Sequence, residues 1–324
     1  MLDLSEVHVV SVPMAVPFRG VTTREALLLR GPAGWGEFSP FLEYDDVESA
    51  RWLAAAVEAS QVGWPAPVRD AVPVNATVPA VPAEQVAAVL ARFPGCTTAK
   101  VKVAQAGQAL RDDVDRVAAV REALGPTGRV RVDANGAWSL ADARWAVAAL
   151  DAFDLEYVEQ PCAEVDDLVL LRVALARAGI EVLIAADESV RKAEDPLRVA
   201  RAGAADVLVL KVAPLGGVRP ALEIAAECGL PVVVSSALDT SVGIAAGAAL
   251  AAALPELPYA CGLATTSLLT KDVVRPSLDG HGGSIPVGPV SADPQLLAQL
   301  AASPEREAWW LARLARCSAL LPAD

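Results

Sequence analysis

The chain has 324 residues, 54% of them hydrophobic, and a formal net charge of −13. That hydrophobic fraction supports a sizeable core and excludes disorder, while the excess of carboxylates excludes a nucleic-acid partner, which needs clustered cations. No apolar run approaches the roughly 18 residues of a membrane span, and the five cysteines form no C-x-x-C pair, which excludes a disulfide framework or a zinc site.

The N-terminus "MLDLSEVHVV" lacks a basic segment followed by an apolar one, so no signal peptide and a cytoplasmic location are expected. Residues 1–72 read as a small α+β unit. Its strands are "VHVVSVPMAV" and "REALLLRG", joined by a polar loop "PFRGVTT"; turn-rich "GWGEFSPFLEYD" and a helix "DVESARWLAAAVEAS" follow. From Pro73 the rhythm changes. Short β-rich runs appear at "VNATV", "TAKVKVA", "GRVRVDA", "LEYVEQP", "EVLIAADES", "DVLVLKVAP", "PVVVSSA" and, weakly, "YACGLAT", with helical stretches between them. The helix after the second run places Leu110, Val114, Val117 and Leu124 on one face and stops at Gly125-Pro126. The one after the fifth run is expected to start at Asp195-Pro196. "VGIAAGAALAAAL", stopped by Pro255, reads as a buried helix.

Eight strand-then-helix units over residues 73–285 predict a (β/α)8 barrel of the TIM type. An open doubly wound sheet is disfavoured because no G-x-G-x-x-G follows the first strand. Residues 286–324 form a C-terminal segment whose amphipathic helix "PEREAWWLARLARCSALL" is expected to pack back on the N-terminal unit.

Barrel chemistry sits at the C-terminal ends of strands. Those ends carry, in order, Lys100 and Lys102, Asp133, Glu159, Asp187, Lys211, Ser235 and Ser236, and Gly262. A lone aspartate there is more often a helix cap, and a lone lysine can snorkel to solvent. Three carboxylates from adjacent strands, however, converge on one small volume and require a cation; hard oxygen donors in that number suit Mg²⁺. Glu188 competes with Asp187 for the third place, since strand parity alone does not choose. Lysine is scarce, five against 22 arginines, yet three of the five fall on the strands flanking the carboxylates. Two lysines on opposite sides of a metal site can move a proton on either face of a carbon beside a carboxylate. Burial and neighbouring cations would depress Lys102 toward working pH, which gives Lys100 a reason to stand beside it. Arginine could not replace Lys102, because guanidinium does not deprotonate in proteins.

"KVK", "DANGAW", "VEQP", "ADES", "LKVAPLGG" and the N-terminal "GWGEFSP" together resemble the muconate-lactonising subgroup of the enolase superfamily over nearly the whole chain. The resemblance implies a capping domain over a modified (β/α)7β barrel, with Mg²⁺ held by Asp133, Glu159 and Asp187. It implies a carbon–oxygen lyase of menaquinone biosynthesis that dehydrates a small cyclohexadiene carboxylate. Lys102 would remove the α-proton and return it to the departing hydroxyl, and Lys211 would stabilise the enediolate from the other face. Lys100, Asn135, Ser235, Ser236 and Gly262 would position the substrate, Arg131 would assist on the face of Asp133, and Phe18-Arg19 would lie on a closing loop. A racemase of N-succinylamino acids and a muconate cycloisomerase are the alternatives. The histidine-base branch is disfavoured, since His8 and His281 lie at no strand end, and so are dipeptide epimerases, whose Asp-x-Asp is Leu263-Ala264-Thr265 here.

Overall fold

Alternating apolar residues make the first strands one face of a packed sheet. In the computed structural model, which describes residues 4–18, 20–191 and 196–322, β1 (Glu6–Phe18), β2 (Val21–Gly31) and β3 (Gly34–Phe38) form an antiparallel sheet in that order. Two expectations change here. Most of the stretch read as a polar loop belongs to the strands, because Phe18 pairs with Val21; Arg19 lies outside the described residues. "GWGEF", read only as turn, is β3, registered Leu27↔Phe38 and Leu29↔Gly36.

One face of this sheet, with Val9, Leu27, Leu29 and Phe38, packs on Trp52, Leu53 and Trp310. Trp52 and Leu53 come from the helix Asp46–Val57, whose first turn is capped by Asp45 accepting from Glu48 N at 2.8 Å. The strand and helix touch backbone to backbone: a Cβ on Gly36 would stand 2.1 Å from the Ala56 carbonyl oxygen, so only glycine fits. Trp310 lies on the C-terminal helix Pro304–Ser318, which is capped by Ser303. From the same helix, buried Arg313 donates to the carbonyls of Phe41 (3.0 Å) and Tyr44 (2.6 Å) and to Ser49 Oγ (2.7 Å), which fixes the loop between β3 and the first helix.

Beyond β4 (Ala71–Pro73), the strands β5 (Ala76–Val78), β6 (Thr98–Lys102), β7 (Arg129–Asp133), β8 (Leu155–Glu159), β9 (Ile184–Ala186), β10 (Val207–Leu210) and β11 (Val232–Val234) form a parallel sheet in chain order. The eighth run contributes single bridges instead of a full strand. Cys261 bridges Val74 and Gly262 bridges Ser235, both parallel, and these two residues close the barrel. A later strand, β12 (Ser284–Pro286), pairs antiparallel with β4. Helices Leu110–Leu124, Leu140–Leu150, Val165–Ala178, Val218–Cys228 and Ser241–Ala253 follow β6, β7, β8, β10 and β11 in turn. The last is apolar all round and almost wholly buried. Asp195 lies outside the described residues, and the helix after β9's loop is described as Arg198–Arg201.

Strand parity divides the core in two. Val101, Val132, Val158, Ile184 and Leu208 join the large cluster with the helices, while Tyr157, Ala185, Val207, Val209 and Val233 form a separate cluster with Tyr259 inside the barrel. Both faces being covered, these strands read as nearly continuous apolar runs. No helix among the described residues is long and apolar enough to cross a membrane. The five cysteines are free thiols.

Candidate active site

Parallel register brings the strand-end residues to one level. Lys102 pairs with Asp133 across β6–β7, and Asp133 with Glu159 across β7–β8. Ala185 belongs to the interior cluster, so Asp187, two residues on, points into the barrel mouth by the same parity. Asp133, Glu159 and Asp187 have no solvent exposure.

Each carboxylate meets a lysine. Lys100 Nζ donates to both oxygens of Glu159 at 2.9 Å and lies 3.4 Å from Asp133 Oδ2. Lys102 Nζ donates to that same Asp133 oxygen and to Asn135 Oδ1 at 2.9 Å. Lys211 Nζ donates to Asp187 Oδ2 at 2.5 Å.

The electrostatics follow from this crowding. Burial, then Asp133 and Asp187, push the Glu159 carboxyl up to about 8. Burial also works against the charge on Asp133, but Lys102 and Lys100 outweigh it and hold Asp133 well below the carboxylate range. Asp187 comes down to about 2, burial again opposing and Lys211 and Arg191 prevailing. Burial resists the Lys100 ammonium, yet Glu159 and Asp133 raise it above the ordinary lysine value. Lys102 goes the other way: burial depresses it, and Lys100 and Lys211 add to that against the pull of Asp133.

Asp133, Glu159 and Asp187 have the donor chemistry of a hard divalent cation: anionic oxygens, shielded from water, at adjoining strand ends. Their side chains turn to the lysines, and among the described residues no three His, Cys, Asp or Glu side chains stand at metal-ligand spacing.

The remaining sequence candidates separate cleanly. Asn135 adopts φ +49°, its backbone N–H donates to Asp133 Oδ1 at 2.9 Å, and its amide reaches Glu188 Oε1 at 3.2 Å. Ser235, Ser236 and Gly262 line the same pocket as the three lysines. Ser236 Oγ is committed to the Gly262 carbonyl at 2.7 Å and to Thr265 Oγ1 at 2.8 Å. A Cβ on Gly262 would stand 2.6 Å from Ser235 Oγ. Arg131 does not line the pocket. It shares the face of Asp133 but sits two residues deeper, where it binds Glu156 (2.5 Å), Asn75 Oδ1 (3.1 Å) and the Ala260 carbonyl (2.7 Å) and stacks over Tyr157. Phe18 does line it, with Lys102 Nζ 5.4 Å from its ring centroid.

Arg191 escaped the sequence reading. It ends the one-turn helix Glu188–Arg191, lines the pocket, and binds Asp187 Oδ1 at 2.9 Å, Glu188 Oε1 at 2.7 Å and the Tyr44 hydroxyl at 3.4 Å. The spacing Asp-x-x-x-Arg just past a strand end was its available signal. From the N-terminal unit Val21, Phe41, Tyr44 and Trp52 complete the lining. The free volume within is about 110 Å³, a small cleft with a few convergent polar groups among apolar walls, as small-molecule sites have.

Residues 83–292 match the family described as enolase C-terminal domain-like, and residues 9–60 match enolase N-terminal domain-like. The chain belongs to the enolase superfamily. Within the superfamily it is 61% identical over 309 residues to the o-succinylbenzoate synthase of Thermobifida fusca (strain YX), covering 95% of each chain. It is 58% identical over 319 residues to that of Mycolicibacterium smegmatis (strain ATCC 700084 / mc(2)155), covering 98% of this chain and 97% of the relative. A muconate lactonizing enzyme from Pseudomonas fluorescens, solved with muconolactone, superposes with a TM-score of 0.78 at 23% identity over 93% of this chain and all of that one. The L-Ala-D/L-Glu epimerase from Bacillus subtilis gives 0.75 at 24% identity over 90% of this chain and 98% of that one. These structures fix the fold as the superfamily's barrel with an N-terminal capping domain.

Proposed function

We propose that the chain is an o-succinylbenzoate synthase, a magnesium-dependent lyase of menaquinone biosynthesis. Its reaction is the syn dehydration of 2-succinyl-6-hydroxy-2,4-cyclohexadiene-1-carboxylate to 2-succinylbenzoate. The observation that carries the reading is the 61% identity to a relative of that name across 95% of both chains. The lysine–carboxylate arrangement of the pocket supports it.

Lys102, depressed by burial and by its cationic neighbours, is the base. Its neutral amine takes the proton α to the ring carboxylate, and the C–H electrons enter the carboxylate as an enediolate. The resulting ammonium returns that proton to the hydroxyl on the same face, the C–O bond breaks, water leaves and the ring becomes aromatic. Lys211 remains charged and stabilises the enediolate from the far side, partly through the ring face. A magnesium ion held by Asp133, Glu159 and Asp187 would supply electrostatic stabilisation of the substrate carboxylate as it gains charge. Lys100 keeps Glu159 oriented through both of its oxygens. Asn135 orients Lys102, and Ser235, Ser236 and Gly262 offer polar edges for the succinyl tail. Phe18, Phe41 and Leu238 wall the ring from water.

The test is turnover of the cyclohexadiene by purified protein with Mg²⁺, with EDTA, and in Lys102→Ala. Dehydration that survives chelation or the substitution would sink the mechanism. The two lysines, on β6 and just past β10, also suit a two-base racemase. Turnover of N-succinylamino acids without the cyclohexadiene would establish that second reading instead.

A further inference from the structure

One wall of the pocket is the barrel loop carrying Ser235, Ser236, Ala237 and Leu238, yet its hydrogen bonds run to the N-terminal sheet. Buried Arg24 on β2 donates through Nε to the Leu238 carbonyl at 3.1 Å and through Nη2 to the carbonyl and hydroxyl of Ser39. Buried Glu37 on β3 reaches further. Its Oε2 accepts from Thr240 Oγ1 (2.6 Å), Thr240 N (3.1 Å) and Gly243 N (3.0 Å), while Ser39 Oγ donates to Oε1 at 2.7 Å.

The N–H groups in the first turn of a helix have no partners within it, and they favour a nearby anion. Glu37 therefore caps the helix Ser241–Ala253 from another part of the chain, in addition to the helix's own Thr240. Gly243 makes room for it: a Cβ there would stand 2.7 Å from Asp239 Cβ and 3.0 Å from Glu37 Oε2. Within the loop, Asp239 accepts from Ala237 N at 3.0 Å, and Leu238 is held at φ +63°. A leucine adopts that conformation only when its surroundings impose it, and Arg24 grips its carbonyl.

We propose that Arg24 and Glu37 are positioning residues through which the N-terminal sheet sets the barrel loop 235–240, and with it the pocket wall along the succinyl end of the substrate. The naming of that end rests on the o-succinylbenzoate synthase reading; the clamp itself rests on the hydrogen bonds.

The experiment compares Glu37→Ala with Glu37→Gln. The amide oxygen of glutamine still accepts from Thr240 and Gly243, and its amino group can donate to Ser39 Oγ. In Glu37→Ala, KM for the cyclohexadiene rises about tenfold, with kcat within about threefold of wild type; Glu37→Gln restores KM. A KM unchanged in the alanine variant, or raised equally in both, overturns the proposal. Amide exchange across residues 235–243 gives a readout independent of turnover. It accelerates about tenfold in Glu37→Ala at a temperature where both proteins are folded, and equal exchange overturns the clamp. Should the alanine variant not fold, Glu37→Asp, whose shorter side chain draws the carboxylate back from Thr240 and Gly243, carries both comparisons. If wild-type protein does not turn over the cyclohexadiene, the activity reading falls while the exchange data still decide the clamp.

Discussion

Lys100→Met asks why two lysines share one face of β6. The methionine side chain has nearly the length of the lysine stem and no charge. Lys100 Nζ lies 3.4 Å from Asp133 Oδ2, the same oxygen that Lys102 binds, so the two ammonium nitrogens are at most about 6 Å apart. At an effective dielectric of about 20 two like charges at that separation repel by about 2.8 kcal/mol, about 100-fold in an equilibrium constant. Burial is the largest influence depressing Lys102, Asp133 opposes it, and Lys100 adds to the depression. Removing Lys100 therefore lifts the Lys102 value. The acid limb of kcat/KM, which rises as the base loses its proton, should move to higher pH. Near neutral pH the loss is about 100-fold and is largely recovered in alkali. The assay is kcat/KM across about pH 6 to 10 at saturating Mg²⁺, with Mg²⁺ affinity titrated in parallel so that a weaker metal site is not mistaken for a shifted base. A limb coinciding with that of wild type would refute the tuning role and leave Lys100 only its contact with Glu159.

Lys102→Arg keeps the charge but cannot supply a neutral base; kcat should fall by at least about 10³-fold while Mg²⁺ binding, followed calorimetrically, persists. Mg²⁺ affinity itself should rise with pH, up to about tenfold per unit between about pH 6 and 8, because Glu159, pushed up to about 8, must lose its proton to coordinate; a flat profile would remove Glu159 from the ligand set. The same raised value means the metal-free fold holds a proton that the unfolded chain has released, so its stability in EDTA should decline as pH climbs from about 4.5 to 8, read from urea midpoints. Arg313→Ala strips donors from Phe41, Tyr44 and Ser49 and should destabilise the protein by about 2–4 kcal/mol in urea; an unchanged midpoint would show that the loop holds itself.

How much of this was legible from the sequence depended on the distance between partners. Lys100, Lys102, Asp133, Glu159 and Lys211 could be placed from parity and strand order alone, because parallel strands in chain order present their ends at one rim. Asp187 against Glu188 needed the structure, since only the packing of Ala185 against Tyr157 shows which parity faces inward. β3 was hidden because Trp35 and Phe38 are the only large apolar residues of its five, with Gly36 and Glu37 between them, and the role of Gly36 is set by the backbone of a helix some 20 residues later. Glu37 was hidden more deeply: its partners Thr240 and Gly243 lie more than 200 residues away, and no local pattern announces a cap supplied across that distance. Arg131 misled for the opposite reason. Period two gives its face correctly but says nothing of depth, and two residues along a strand separate a pocket floor from a buried stack on Tyr157.

Charge neutrality ties the site together. With every group ionised, Asp133, Glu159 and Asp187 are matched by Lys102, Lys100 and Lys211, and Glu188 by Arg191, so the floor of the pocket then sums to zero. A dicarboxylate entering alone would bring two negative charges into a site where little water remains to screen them. A divalent cation entering with it leaves the sum unchanged. The magnesium ion proposed for the chemistry would on this count also favour binding of the substrate. Function as a base also explains why position 102 is a lysine. An arginine at Lys102 would hold Asp133 as well as an ammonium does, but it could never give up the proton that turns a balanced ion pair into a base.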